Sequence, residues 1–147
     1  WLKAGEYELR VDQPSLDSHP GIEIHMNEEL VVGIRPHAME AATVAGADDE
    51  RTITAAVYAT EMLGAETFVQ FSDNRPPVVT PDIEELLAGT RETAESLGET
   101  SHFIARVDAD ATVTRGDLLD LIVDTSKLHF FDSRTGDRIG SKQTASA

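Results

Sequence analysis

Residues 127–140 read KLHFFDSRTGDRIG, and the reading of this stretch decides the fold. An apolar and aromatic run, Leu128 to Phe131, passes straight into Asp132-Ser133-Arg134-Thr135-Gly136 and then reaches Ile139. Side chains alternate along a strand, so Leu128 and Phe130 face one way and His129 and Phe131 the other. Asp132 has the side chain of an Asx-type turn, which accepts backbone N–H bonds, and Gly136 suits the left-handed position of a hairpin loop. Ile139 then re-enters the sheet. Read physically, the stretch is the closing hairpin of a small β-domain with aromatic packing on both sides, and not a catalytic centre.

The chain upstream supports that reading. Glu6 to Val11 alternates as a strand, and Asp12 to Gly21, with two Pro, reads as a loop. In "ELVVGIRP" (29–36), Leu30, Val32 and Ile34 share one face, and Pro36 ends the ladder because it has no N–H to give. Ala41 to Glu50 is small and acidic, again a loop. Arg51 to Leu63 is a long β-type run with Ile53, Ala55, Val57 and Ala59 on one face; Gly64 turns it, and "ETFVQFS" returns as a hairpin arm. "HFIARV" and "LLDLIVD" are two later strands, joined through "TRGD" with Gly116 where a positive φ is needed. Between them the period changes. Thr80-Pro81 supplies a cap and a first helical residue, Ile83, Leu86, Leu87, Ala94 and Leu97 follow at helical spacing, and Gly98 suits the C-terminal end. The expectation is a mainly β fold: a small barrel of the oligonucleotide/oligosaccharide-binding (OB-like) type with one inserted acidic helix over 81–98.

Bulk composition sets limits on function. The 147 residues, 40% hydrophobic, suffice for one domain with a real core. The expected organisation is a single domain over 1–147, with a leading strand and loop (1–29), the barrel (30–140) and a tail (141–147). Twenty-seven acids against 12 bases give a formal charge of −15, a field that repels nucleic acid and anionic membranes. The absence of cysteine removes disulfides, thiolate metal sites and cysteine nucleophiles. No apolar run approaches the ~20 residues that span a bilayer, so direct membrane insertion is not expected. The chain opens on Trp1 rather than Met and reads as a fragment of something longer.

Chemistry-bearing motifs are scarce. "GDRIGSK" ends in Gly-Ser-Lys but lacks the spacing of a phosphate-cradling loop. His19, His25, His37, His102 and His129 are too far apart in sequence for local metal-ligand spacing. Carboxylates are so abundant that any two could be called a pair, so they point to a solvated surface. A freestanding hydrolase has no nucleophile–base constellation to rest on. Arg35, which follows an apolar strand and precedes Pro36, is expected to bond a carboxylate or turn carbonyls near its counterpart Glu61.

Four stretches follow one another in order: Gly33-Ile34-Arg35-Pro36; Glu61-Met62-Leu63-Gly64-Ala65-Glu66; the strand opened by Gly116 that ends at Asp124; and His129, Phe131, Asp132, Thr135 and Gly136. Together they resemble the C-terminal regulatory domain of sugar-type ABC-importer ATPase subunits. The resemblance implies an OB-like TOBE domain, related to MOP-like folds, that follows an ATPase domain absent from this chain. Two departures are visible: His37 stands where the family usually has Glu, and the helical segment from Pro81 is an insertion relative to shorter members. The implied function is a non-catalytic regulatory and dimerisation module of an importer for sugar or a related solute. The implied partners are the ATPase domain of the same chain, a second copy of the subunit and, indirectly, the permease subunits. ATP and Mg²⁺ would belong to the ATPase domain, with no cofactor in this fragment. The implied location is cytoplasmic, peripheral at the inner face of the cell membrane. Arg35, Pro36, Glu61, Phe131 and Asp132 are the expected interdomain or partner contacts. The alternative is a small-ligand module for an oxyanion or a sugar.

Overall fold

A computed structural model describes residues 1–42, 49–90, 98–108 and 110–140. It is mainly β, a small OB-like fold whose largest sheet curls into a half barrel. That sheet has the order β4-β8-β5-β6-β7, with every neighbouring pair antiparallel. Its strands are β4 (Met39–Ala41), β5 (Thr52–Leu63), β6 (Glu66–Asp73), β7 (Ser101–Asp108) and β8 (Leu118–Val123). A three-stranded sheet, β10-β9-β3, joins β3 (Leu30–Gly33), β9 (His129–Asp132) and β10 (Arg138–Ile139). A hairpin of β1 (Leu2–Ala4) and β2 (Tyr7–Leu9) completes the described strands.

Alternation in the sequence builds the core. β5 buries Ile53, Ala55 and Val57, β6 Val69 and Phe71, β7 Ala105 and Val107, and β8 Leu121 and Val123, all on the concave face. Leu128 and Phe130 enter the same cluster, with Leu30, Val32 and Ile34 packed against it. Ala59 leaves the expected face. A β-bulge between Val57 and Ala59 shifts the register, so Ala59 pairs with Gln70 on the convex side. Leu63 pairs with Glu66, closing β5–β6 through a two-residue turn in which Gly64 has φ +67°.

Three expectations need correction. The segment 12–21 is not a plain loop: α1 (Gln13–Ser18) stands there, capped by Asp12, whose Oδ1 accepts from the Ser15 N–H at 3.0 Å. Six residues are too few for an apolar stripe to show, but Asp followed by Pro14 is a helix-start signal. The leading 1–29 likewise holds the β1–β2 hairpin and a 3-10 turn, Ile22–His25. The helix expected over 81–98 ends early: α2 (Pro81–Ala88) stops at Gly89, whose N–H bonds Glu85 O at 3.2 Å. The expected continuation over 91–97 lies outside the described residues. None of α2 is buried, and its Leu86 is 70% exposed.

Candidate functional site

The closing hairpin forms as its sequence implies. Asp132 Oδ1 accepts from the N–H groups of Arg134 (2.8 Å) and Thr135 (3.1 Å), and Gly136 takes φ +77°. Those backbone N–H bonds hold the Asp132 carboxyl below the usual carboxylate range. Ser133 Oγ donates to Glu29 O at 2.9 Å and ties the turn to the start of β3. Ile139 pairs with Phe130, and Arg138 with Phe131.

Cross-strand partners share a face. Val31 opposite Phe131, Gly33 opposite His129 and Phe131 opposite Arg138 therefore define the outer face of β10-β9-β3. Gly33 leaves the centre of this face low; a Cβ there would stand 3.4 Å from the Phe131 ring and 3.5 Å from His129 Cβ. Phe131 is half-buried.

Arg35 and Pro36 lie just beyond β3. Pro36 opens the 3-10 turn Pro36–Ala38 and holds Arg35 extended, at φ −86°, ψ 152°. The turn delivers Ala38 and Met39 to the core, each 1% exposed. The expected pairing of Arg35 with Glu61 is not made. Both are exposed; Glu61 stands opposite Phe68, and neither side chain has a hydrogen-bond or ion-pair partner among the described residues. The physical reason is topological: Arg35 follows β3 of the three-stranded sheet, while Glu61 lies near the tip of the β5–β6 hairpin in the other sheet.

Arg35 instead belongs to a group that sequence reasoning did not assemble. Arg138 Nη2 lies 2.9 Å from His129 Nδ1. A guanidinium only donates, so Nδ1 accepts and the neutral ring carries its proton on Nε2. His129 is held below its ordinary pKa, first by burial and then by the charges of Arg138, Arg35, His19 and His37. The signal was present in the hairpin register, which sets residue 138 across from 131 and within reach of 129. Other cations pair with acids: Lys3 with Glu8, Arg10 with Glu50, Arg75 with Asp73, Arg106 with Glu66 and Lys127 with Asp124. No carboxylate bonds Arg35 or Arg138 among the described residues. Those residues also hold no cluster of three His, Asp or Glu fit for a metal ion, and no helix among them is long and apolar enough to cross a membrane.

No protein-family model matches the chain. Over 112 residues, 74% of its length, it is 32% identical to "Trehalose import ATP-binding protein SugC" from two strains of Mycobacterium tuberculosis. Over 69 residues, 47% of its length, it is 39% identical to "sn-glycerol-3-phosphate import ATP-binding protein UgpC 2" of Agrobacterium fabrum. These alignments cover 28% and 18% of the relatives, so the chain spans about a quarter of the length of the first. Over most of its length, then, the chain is homologous to part of the ATP-binding subunits of ABC importers.

Proposed function

We propose that the chain is the C-terminal regulatory, TOBE-type region of an ABC-importer ATP-binding subunit that serves a sugar or a related polar solute. It is a single domain that performs no chemistry. It holds two subunits together while their ATPase domains open and close, and it meets the permease subunits only through the assembled transporter. ATP and Mg²⁺ act in the ATPase domain. The working place of the domain is cytoplasmic, at the inner face of the membrane.

One observation carries this reading: alignment with import ATP-binding proteins over 74% of the chain. The small OB-like β fold and the lack of a phosphate-cradling glycine loop in the sequence fit it. The test is removal of residues 1–147 from the full-length subunit. The shortened protein is expected to bind ATP with unchanged affinity by fluorescence titration and to self-associate more weakly by light scattering. Loss of ATP binding, or unchanged self-association, argues against the proposal.

A further inference from the structure

We infer that the outer edge of β5 over Thr60–Leu63, where the β5–β6 hairpin runs past the end of β8, is a docking site for an extended segment of a partner protein, one that adds as a strand and carries basic residues. The inference goes beyond the importer reading and does not depend on it.

The register defines the edge. Leu63 and Glu66 flank a two-residue turn, so their backbones bond each other. Bonded and non-bonded pairs alternate along an antiparallel ladder. Glu61 therefore bonds Phe68 and Ala59 bonds Gln70, while the N–H and C=O groups of Thr60 and Met62 point away from β6. On that far side β5 is paired with β8 as far as Ala56 and Leu118. Val57 makes the last bonds there: its N–H donates to Asp117 O at 3.0 Å, and its carbonyl accepts from the Gly116 N–H at 2.8 Å. Beyond it, no described residue bonds the outward backbone groups of Thr60 or Met62. All four residues from Thr60 to Leu63 are exposed.

Such a row of free donors and acceptors fits one kind of ligand, another strand. The bland alternative is a hairpin end left idle. Idle edges are kept from pairing by lysine or proline. This one has neither, and it carries Met62, 69% exposed, and Leu63, 56% exposed.

Charge selects the partner. The Glu61 side chain has no partner among the described residues, in a chain of formal charge −15. Glu66, also at the hairpin end, is taken by Arg106 at 2.8 Å. A second copy paired about Glu61 would set two carboxylates directly across the new ladder, which is destabilising. Successive side chains of a strand point to opposite faces. A segment with lysine or arginine beside Glu61 and an apolar residue beside Met62 therefore suits both faces of the edge.

The test uses this 147-residue chain and an eight-residue peptide of alternating valine and lysine. One comparison peptide has glutamate in place of lysine. Another keeps the lysine sequence but is N-methylated along its backbone, so its charge stays and its ladder donors are lost. NMR hydrogen exchange reports on the edge, and fluorescence titration gives the affinities. The amides of Thr60 and Met62 are expected to exchange fast in the free chain and to become protected, saturably, with the lysine peptide. The glutamate and N-methylated peptides should each bind at least tenfold more weakly. Met62→Pro removes an outward N–H without touching the bonds to β6, and should weaken the lysine peptide at least tenfold. Glu61→Lys should reverse the preference between lysine and glutamate peptides, which keeps the test decisive if the proline variant fails to fold. Absence of saturable binding, equal binding of the N-methylated peptide, or an unchanged preference in Glu61→Lys overturns the inference. So does protection of the Thr60 and Met62 amides in the free chain, whether it rises with protein concentration, as a second copy on the edge would make it, or not.

Discussion

His19 Nε2 lies 2.6 Å from the carbonyl oxygen of Leu128, 109 residues further along the chain. The other ring nitrogen, Nδ1, is 2.7 Å from Ser15 O. Ser15 Oγ meets Thr125 Oγ1 at 2.7 Å, and the His19 ring stands edge-on to Phe130 with centroids 4.9 Å apart. These buried contacts fasten α1 to the segment that begins the closing hairpin. Gly140 passes so close that a Cβ there would lie 2.9 Å from His19 Cα, so only glycine fits.

From this clasp we predict that His19→Ala destabilises the fold by about 2 kcal/mol, since it leaves a buried carbonyl without its donor and removes the ring packed on Phe130. Chemical denaturation followed by circular dichroism measures it. An unchanged midpoint would mean that the N-terminal segment is only draped on the half barrel.

Neighbouring aromatics should respond unequally. Phe130 is 2% exposed inside the core, and Phe130→Ala should cost about 3–5 kcal/mol. Phe131 lies half-buried on the outer face, so Phe131→Ala should cost only about 1–2 kcal/mol by the apolar area it covers. Equal losses in the two variants would contradict the strand orientation derived for residues 128–131.

Period-two patterns made much of this fold legible. Ile53, Ala55 and Val57, and later Leu121 and Val123, are buried as their alternation requires. Asp132 and Gly136 make the turn that their side-chain chemistry favours. Short elements were harder: α1 has six residues and β4 three, below the length at which a period can be read. The bulge at Val57–Ala59 was invisible because no glycine or proline marks it. At the candidate site, Arg35 could be singled out by its place between strand and proline. Its neighbours His129 and Arg138 are brought to it by pairing across about a hundred residues, which no local pattern reports.

Acid should weaken the protein in two steps. Burial and nearby positive charge depress the pKa of His129, so the unfolded chain takes up that proton first. Stability from this group is complete above about pH 6.5 and falls as the pH drops toward its folded value. Asp73, held low first by the side-chain bond from Arg75, and Asp132, held low by backbone N–H groups, contribute the second step. Their stabilisation is present above about pH 4 and is lost as the pH falls through their lowered values. His129→Gln keeps an acceptor for Arg138 but cannot titrate. Its melting temperature should fall less than that of the parent between about pH 7.5 and 5.5. Identical slopes would remove His129 from the account.

The acidic helix should be dispensable for folding. α2 presents Asp82, Glu84 and Glu85 to solvent and buries none of its residues. At eight residues it is below the ~12–15 at which isolated helices become even marginal in water. It is held locally, by the Thr80-Pro81 start and the Gly89 end, and its first turn lies near the closing loop: a Cβ on Gly136 would be 3.8 Å from Asp82 Oδ2. The strands on either side do not depend on it. β6 and β7 pair along their whole length, from Glu66 opposite Asp108 to Asp73 opposite Ser101. Ser101 N–H also bonds Arg75 O at 2.8 Å, closing the base of the long connection below the helix. Replacing residues 81–89 by a short Gly/Ser segment therefore removes little packing, and doubling or halving a loop changes closure entropy by only about 0.6 kcal/mol. We predict an unchanged β-type circular dichroism spectrum, reduced helical signal and a loss of stability under about 1 kcal/mol. An unfolded variant would place the helical segment in the core and would refute a β-fold that stands without it.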